Sequence, residues 1–291
     1  MIDLHSHTKN SDGTWSTKEL LTRAEELKLE VLSITDHDTA KAYLEIENNQ
    51  ELKKIYTGKL IRGAELNCTF DGVKIEILAY GFDLYPVQEW LESYYTAEKN
   101  RNRLMKEFND LIDICNQKNI RIEPDLKYHP HTEYPVDVVY NSIIKFDENK
   151  KFFTKEQWKD KGLFFRTCTV DKSFPLYRDF SKQMPTLEFF NNFIHQHHGK
   201  IFLAHLYLYQ LNDHIAYLNK IVKNYLLDGV EVYHSSFTEE QNKTLEEYCR
   251  DRNLLMSGGS DCHGEKKPDR QLGVGYGNLN INKKIIENWN I

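Results

Sequence analysis

Short runs of apolar, mostly β-branched residues alternate along the chain with longer stretches whose apolar positions recur every three or four residues. The short runs predict strands at Ile2–Leu4, Val31–Thr35, Leu60–Leu66, Val73–Tyr80, Ile201–Ala204, Val230–Tyr233 and Leu254–Ser257. The longer stretches predict helices at Thr17–Leu27, Ala40–Tyr56, Thr186–His198, Asn212–Leu227 and Thr238–Asn253. Strands separated by helix-length crossovers pair in parallel, so this alternation predicts an α/β sheet or barrel.

The rhythm fails between residues 84 and 185. A long polar helix is expected over roughly Val87–Gln117, with Leu104, Phe108, Leu111, Ile112 and Cys115 on one stripe. Aromatic and charged segments follow, "KYHPHTEYP" and "KFFTKEQWKDKGLFFR", without a strand pattern. Residues 85–185 therefore read as a mainly helical insertion capping the barrel mouth, between barrel segments 1–84 and 186–291.

Metal-capable residues fall where the predicted strands end. His5 and His7 follow "IDL", with Asp12 in the loop beyond. His37 follows "VLSIT", Glu65 closes "LIRGAEL", and His205 closes "IFLAH". "GVEVYH" supplies Glu231 and His234, and "LLMSGGSDCHG" supplies Asp261 and His263. The C-terminal strand ends of a parallel barrel meet at one mouth, so residues distant in sequence are expected to share a pocket. His195, His197 and His198 suit a helix end instead, and His214 is expected at a solvent-facing helix start. His129 and His131 lie in the insertion.

Composition narrows the function classes. A net charge of -6 over 291 residues argues against a protein that grips a nucleic-acid backbone, so no stable nucleic-acid complex is expected. No apolar run approaches a membrane span, and no signal-peptide pattern follows Met1, so a cytoplasmic protein without a membrane partner is expected. The 5 cysteines are scattered and form no CxxC pair, which favours reduced thiols. Imidazole and carboxylate donors without thiolate suit zinc, manganese or iron. They are too many for one ion and imply two or three, with Glu65 or Asp261 bridging. Such clusters suit phosphate ester hydrolysis, though amide or lactone cleavage fits the same spacing.

The motifs "DLHSHTKNSDGTWS", "LSITDHDT", "GAELN", "ILAYGFD", "LAH", "GVEVYH" and "GGSDCHG" resemble, in order, those of the PHP (polymerase and histidinol phosphatase) superfamily. The resemblance implies a distorted seven-stranded (β/α) barrel that hydrolyses phosphate esters. It implies a first metal at His5, His7, Glu65 and Asp261, a second between Glu65 and His205, and a third among Asp12, His37 and His263. A hydroxide bridging metals would attack, with Asp261 as catalytic proton acceptor, and Arg270 of "KKPDRQLG" and His234 would bind substrate. Relatives usually place a histidine where this chain has Glu76, in "KIEILAY", so Glu76 is a candidate ligand of the second metal. An Arg-Pro-His segment of many relatives corresponds to Tyr134 and Val136, and a second histidine after "EVYH" to Phe237.

The expected activity is phosphatase action on a small phosphate monoester of the nucleotide or nucleoside bisphosphate type. A histidinol-phosphate-type phosphatase and a degenerate, non-catalytic metal- or nucleotide-binding domain are the alternatives.

Overall fold

The computed structural model describes residues 1–130, 133–178, 184–224 and 226–291. His131, singled out above, lies outside the described residues. Three two-residue strands, β1 (Ile2–Asp3), β2 (Val31–Leu32) and β3 (Lys59–Leu60), pair in parallel. Five more form a second sheet in chain order: β4 (Gly63–Phe70), β5 (Val73–Tyr80), β6 (Lys200–Leu203), β7 (Gly229–His234) and β8 (Leu255–Gly259). The last three are parallel, but β5 runs antiparallel to both β4 and β6.

Two expectations change. The α/β architecture is as anticipated, but eight strands lie in two sheets where a distorted seven-stranded barrel was expected, and among the described residues no ladder closes. Isolated bridges Ser6–Cys262 and His37–Glu65 link the sheets, just where β1, β2 and β8 give up regular pairing. The predicted strand Leu60–Leu66 also divides at Ile61–Arg62 into β3 and β4. β4 turns directly into β5 because Asp71 and Gly72 both take positive φ, 52° and 75°, as a two-residue hairpin loop requires.

Around the strands lie α1 (Thr17–Glu26), α2 (Lys41–Asn48), α3 (Leu84–Tyr94), α8 (Leu187–Gln196), α9 (His214–Lys223) and α10 (Glu239–Arg252), and the intervening stretch holds α4 (Ala97–Gln117), α5 (Pro135–Ile143), α6 (Lys155–Lys159) and α7 (Lys161–Val170). Reciprocal capping boxes start α1 at Ser16 and Glu19 and α10 at Thr238 and Gln241. The long helix expected over Val87–Gln117 is two, because Thr96 is extended and its side chain accepts the Lys99 N–H, capping α4. α2 stops at Asn48, short of the predicted Tyr56, and the Asn49 side chain takes the Glu51 N–H in the turn that follows.

Three hydrophobic clusters result among the described residues, one of them small and built around Ile2, Leu78, Phe202 and Trp289. The main one packs Leu32, Ile34, Leu66, Ile77, Leu203 and Val230 against helical residues that include Val87, Leu91 and Phe190. A second lies within the intervening stretch and holds Phe108, Leu111, Val139, Phe164 and Leu176. Each fully buried aromatic there contributes roughly 1.5–3 kcal/mol. This second core is fastened to the hairpin turn: Lys172 Nζ donates to the Asp71 carbonyl at 2.8 Å, and Tyr177 Oη to the Gly72 carbonyl. All five cysteines are buried and unpaired. Among the described residues no helix is long and apolar enough to cross a membrane.

Candidate metal centre

The strand ends converge. His5 and His7 follow β1, His37 follows β2, Glu65 lies on β4, Glu76 on β5, His205 follows β6, His234 ends β7, and Asp261 and His263 follow β8. Their donor atoms fall into groups whose members lie within 4.8 Å of one another: His7, Asp12, His37 and His263; His5, His7 and Asp261; Glu65, Glu76 and His205; and, with Glu231, His5 and His234. Glu65 joins them, with Oε2 3.2 Å from Nε2 of both His5 and His7 and Oε1 2.8 Å from His205 Nε2.

Local sequence explains how the loops hold this shape. Buried Asp36 of "TDHD" accepts from Thr8 N–H at 2.7 Å, Thr8 Oγ1 at 2.6 Å and Ser11 Oγ at 2.6 Å, which folds the loop carrying Asp12. Buried Asp3 accepts from Ser260 Oγ at 2.6 Å and from the Gly273 N–H at 2.7 Å, tying β1 to the segment after β8. His205 and Asp261 have φ of 25° and 55°, a conformation that costs non-glycine residues free energy and concentrates at functional sites.

Hydrogen bonds also set which imidazole nitrogens face inward. His5 Nδ1 pairs with Glu231 Oε1 at 2.8 Å, and His263 Nδ1 with the Asp261 carbonyl at 2.8 Å, leaving each Nε2 for the cluster. Glu231 also accepts the His205 N–H at 2.7 Å. His234 differs: its Nδ1 accepts the Ser236 N–H at 3.1 Å, so the neutral ring carries its proton on Nε2, 3.5 Å from Asp261 Oδ2.

The donor set fits divalent ions. Both ring nitrogens of His7 are buried without a hydrogen bond, as are His37 Nδ1 and Asp12 Oδ1. An ion held at roughly 2.0–2.2 Å spaces neighbouring donors by roughly 3.0–3.5 Å. His7 Nε2 lies 3.2 Å from Glu65 and 3.3 Å from Asp261, and His205 Nε2 lies 3.3 Å from Glu76. The same charges shift one another's protonation. Burial opposes a charged His7, yet Asp261 and Glu65 raise it to about 9. Burial likewise opposes a charged His205, and Glu65 and Glu76 raise it to about 10. Burial would raise the carboxylate of Asp261, but His234, His7 and Lys267 hold it well below the usual range.

The cluster opens onto a cavity of about 310 Å³, whose walls include Lys74, Phe165, Arg166, Tyr209, Lys267 and Arg270. Arg270 pairs with Asp261, and its guanidinium also donates to Ser236 Oγ at 3.1 Å. His234 is fully buried behind Asp261 and does not line this cavity. Tyr134 lines an adjoining cavity, Val136 is buried in the second core, and Phe237 packs its ring 5.2 Å from that of His234.

Other histidines fall outside the cluster. His195 and His198 pair with Asp228 and Asp83 at 2.7 and 2.8 Å near the end of α8. His129 is exposed. His214 is not solvent-facing as expected, since its ring is half-buried and bonds the Tyr209 carbonyl at 2.8 Å. Sequence reasoning missed Asp3, Asp36, Lys74, Arg166 and Tyr209, whose roles come from what lies across the fold. The acidic residue in "DLH" and the paired carboxylates of "TDHD" were the available signals.

A model of the PHP domain matches residues 3–267. The chain belongs to the PHP domain family. The chain is 24% identical, over an alignment of 303 residues, to a 5'-3' exoribonuclease of Haemophilus influenzae, covering 99% of this chain and 97% of that protein. It is 25% identical over 280 residues to the 5'-3' exoribonuclease Rnm of Escherichia coli, covering 90% and 85%. Among solved structures, a Bifidobacterium adolescentis protein assigned as a metal-dependent phosphoesterase superposes with a TM-score of 0.62 at 21% identity, covering 98% of this chain and 93% of that one.

Proposed function

We propose that this PHP domain is a metal-dependent phosphoesterase acting on the phosphate ester of a nucleotide. The carrying observation is one cavity that joins a floor of imidazole and carboxylate donors to a rim of cations and aromatic rings. Two or three ions, of manganese, zinc or iron type, would be held by His5, His7, Glu65 and Asp261, by Glu65, Glu76 and His205, and by Asp12, His37 and His263. When bound, divalent ions polarise phosphoryl oxygens and lower the pKa of water.

The chain's own groups supply the rest. Lys74, Arg166, Lys267 and Arg270 neutralise and orient the phosphate. Phe165 and Tyr209 offer ring faces to a base. Asp261, kept ionised, accepts a hydrogen bond from the attacking water and takes its proton, while His234 presents the Nε2 proton behind it. Cleavage of the P–O bond releases an alkoxide, which takes that proton back and departs as the alcohol.

A second substrate form has a specific basis. Relatives aligned over most of this chain are 5'-3' exoribonucleases, and the cavity continues beside Lys74 and Arg166 into a second one of about 550 Å³. The ester would then link the first nucleotides of a short RNA, bound only for the duration of turnover.

The manganese-loaded protein is assayed for phosphate release from nucleoside mono- and bisphosphates, and for mononucleotide release from a 5'-phosphorylated short RNA, alongside Asp261→Ala. The expected result is metal-dependent release at least about 100-fold above the variant. No release above the variant with any substrate sinks the proposal, and the product identifies which ester is cleaved.

A further inference from the structure

The donor groups differ in chemistry. Three imidazoles and one carboxylate make up the group of His7, Asp12, His37 and His263, whereas Glu65, Glu76 and His205 offer two carboxylates and one imidazole. We propose that Glu76 converts the position between Glu65 and His205 into a hard-cation site, selecting manganese-type ions there relative to zinc, while the histidine-rich position stays suited to zinc. This rests on reading the cluster as a metal centre.

The geometry supports a built position. Antiparallel register sets Asn67 opposite Glu76 and Leu78 opposite Glu65, so the two glutamates share one face of the hairpin as diagonal neighbours. Glu76 Oε2 reaches within 3.3 Å of His205 Nε2, on which Glu65 Oε1 closes to 2.8 Å. His205 is 7% exposed, and its Nδ1 is buried without a hydrogen-bond partner.

Tyr209 fixes the Glu76 backbone from the far side. Its hydroxyl accepts the Glu76 N–H at 2.8 Å and lies 3.2 Å from the Glu76 carbonyl, while its ring lies tilted by 60° with its centre 5.6 Å from that of His205. Tyr209 is therefore a positioning residue that sets carboxylate and imidazole against each other. Carboxylate oxygens suit hard ions such as manganese and magnesium, and imidazole shifts preference toward zinc and copper. An extra negative charge also favours any dication, so the effect concerns the ratio of affinities.

The test is competitive metal titration of the purified full chain with manganese and zinc, read by metal analysis and by the manganese electron spin resonance signal, without an activity assay. Folding of each variant is checked by circular dichroism. For Glu76→His, one position should shift its manganese-to-zinc affinity ratio toward zinc by about tenfold or more, the others keeping theirs. Glu76→Gln should lose about tenfold in manganese affinity at that same position, and Tyr209→Phe should weaken it there by a similar factor. An unchanged ratio in folded Glu76→His overturns the inference and leaves the phosphoesterase reading standing. Failure of the parent chain to bind either metal overturns both.

Discussion

His7 and His205 gather more negative charge than a free imidazole can ignore, and this has two measurable outcomes. Their folded values, about 9 and about 10, lie above the ordinary histidine value of 6.5, so they stabilise the metal-free fold fully below pH 6.5. That contribution falls away as pH rises from 6.5 to about 10, and the metal-free melting temperature should drop over the same window. A flat melting profile there would contradict the assigned contacts. Metal ions need the neutral rings, so manganese affinity should climb from pH 6.5 toward 9, with about one to two protons released per chain near pH 7.5. Calorimetry in buffers of different ionisation enthalpy measures that release, and zero protons would refute it. The clustered histidines were legible because they close or follow strand-like runs. Asp3 and Asp36 were not, and Glu231 was singled out without its orienting role, since a carboxylate that orients a neighbour looks in sequence like one that ligates or one that faces water.

At the scale of elements, the hairpin of β4 and β5 decides where Glu65 and Glu76 stand. Its turn needs φ of 75° at Gly72, and an added Cβ would meet the Tyr177 hydroxyl at 3.2 Å. Gly72→Val should therefore cost about 1–3 kcal/mol in urea denaturation, because a β-branched residue is strained at positive φ. An unchanged midpoint would show that the turn is not built this way. The Asp-Gly pair between two alternating runs carries this hairpin signal. The parallel reading passed over it, because an α/β rhythm on both sides suggested that every neighbour was parallel. Helix ends were legible where side chains cap them, as at Thr238, and misread at Thr96, where one cap inside a continuous stripe separates two helices.

On the scale of the whole molecule, the second core projects Phe165 and Arg166 over the floor of imidazoles and carboxylates. Phe165→Ala should raise KM for nucleotide substrates by about tenfold, with metal content unchanged and little effect on a small aryl phosphate. Equal losses on both substrates would mean that the ring supports the floor and does not contact a base. The broken rhythm of residues 85–185 falls on the helices that bury this core of their own. It could not show which helix faces the site, because α4, α5 and α7 are all amphipathic enough to bury a side in their own core.

The bond network of Asp3 with Ser260 and Gly273 has a temporal consequence. His5 and Asp261 stand 256 positions apart (261 minus 5), so a ribosome working at roughly 5–20 residues per second makes the last ligands roughly 13–50 s after the first. Throughout that interval the nascent chain carries histidines with no site to join. Metal capture thus becomes a late event in biosynthesis, and a product that stops short of β8 never acquires its full centre.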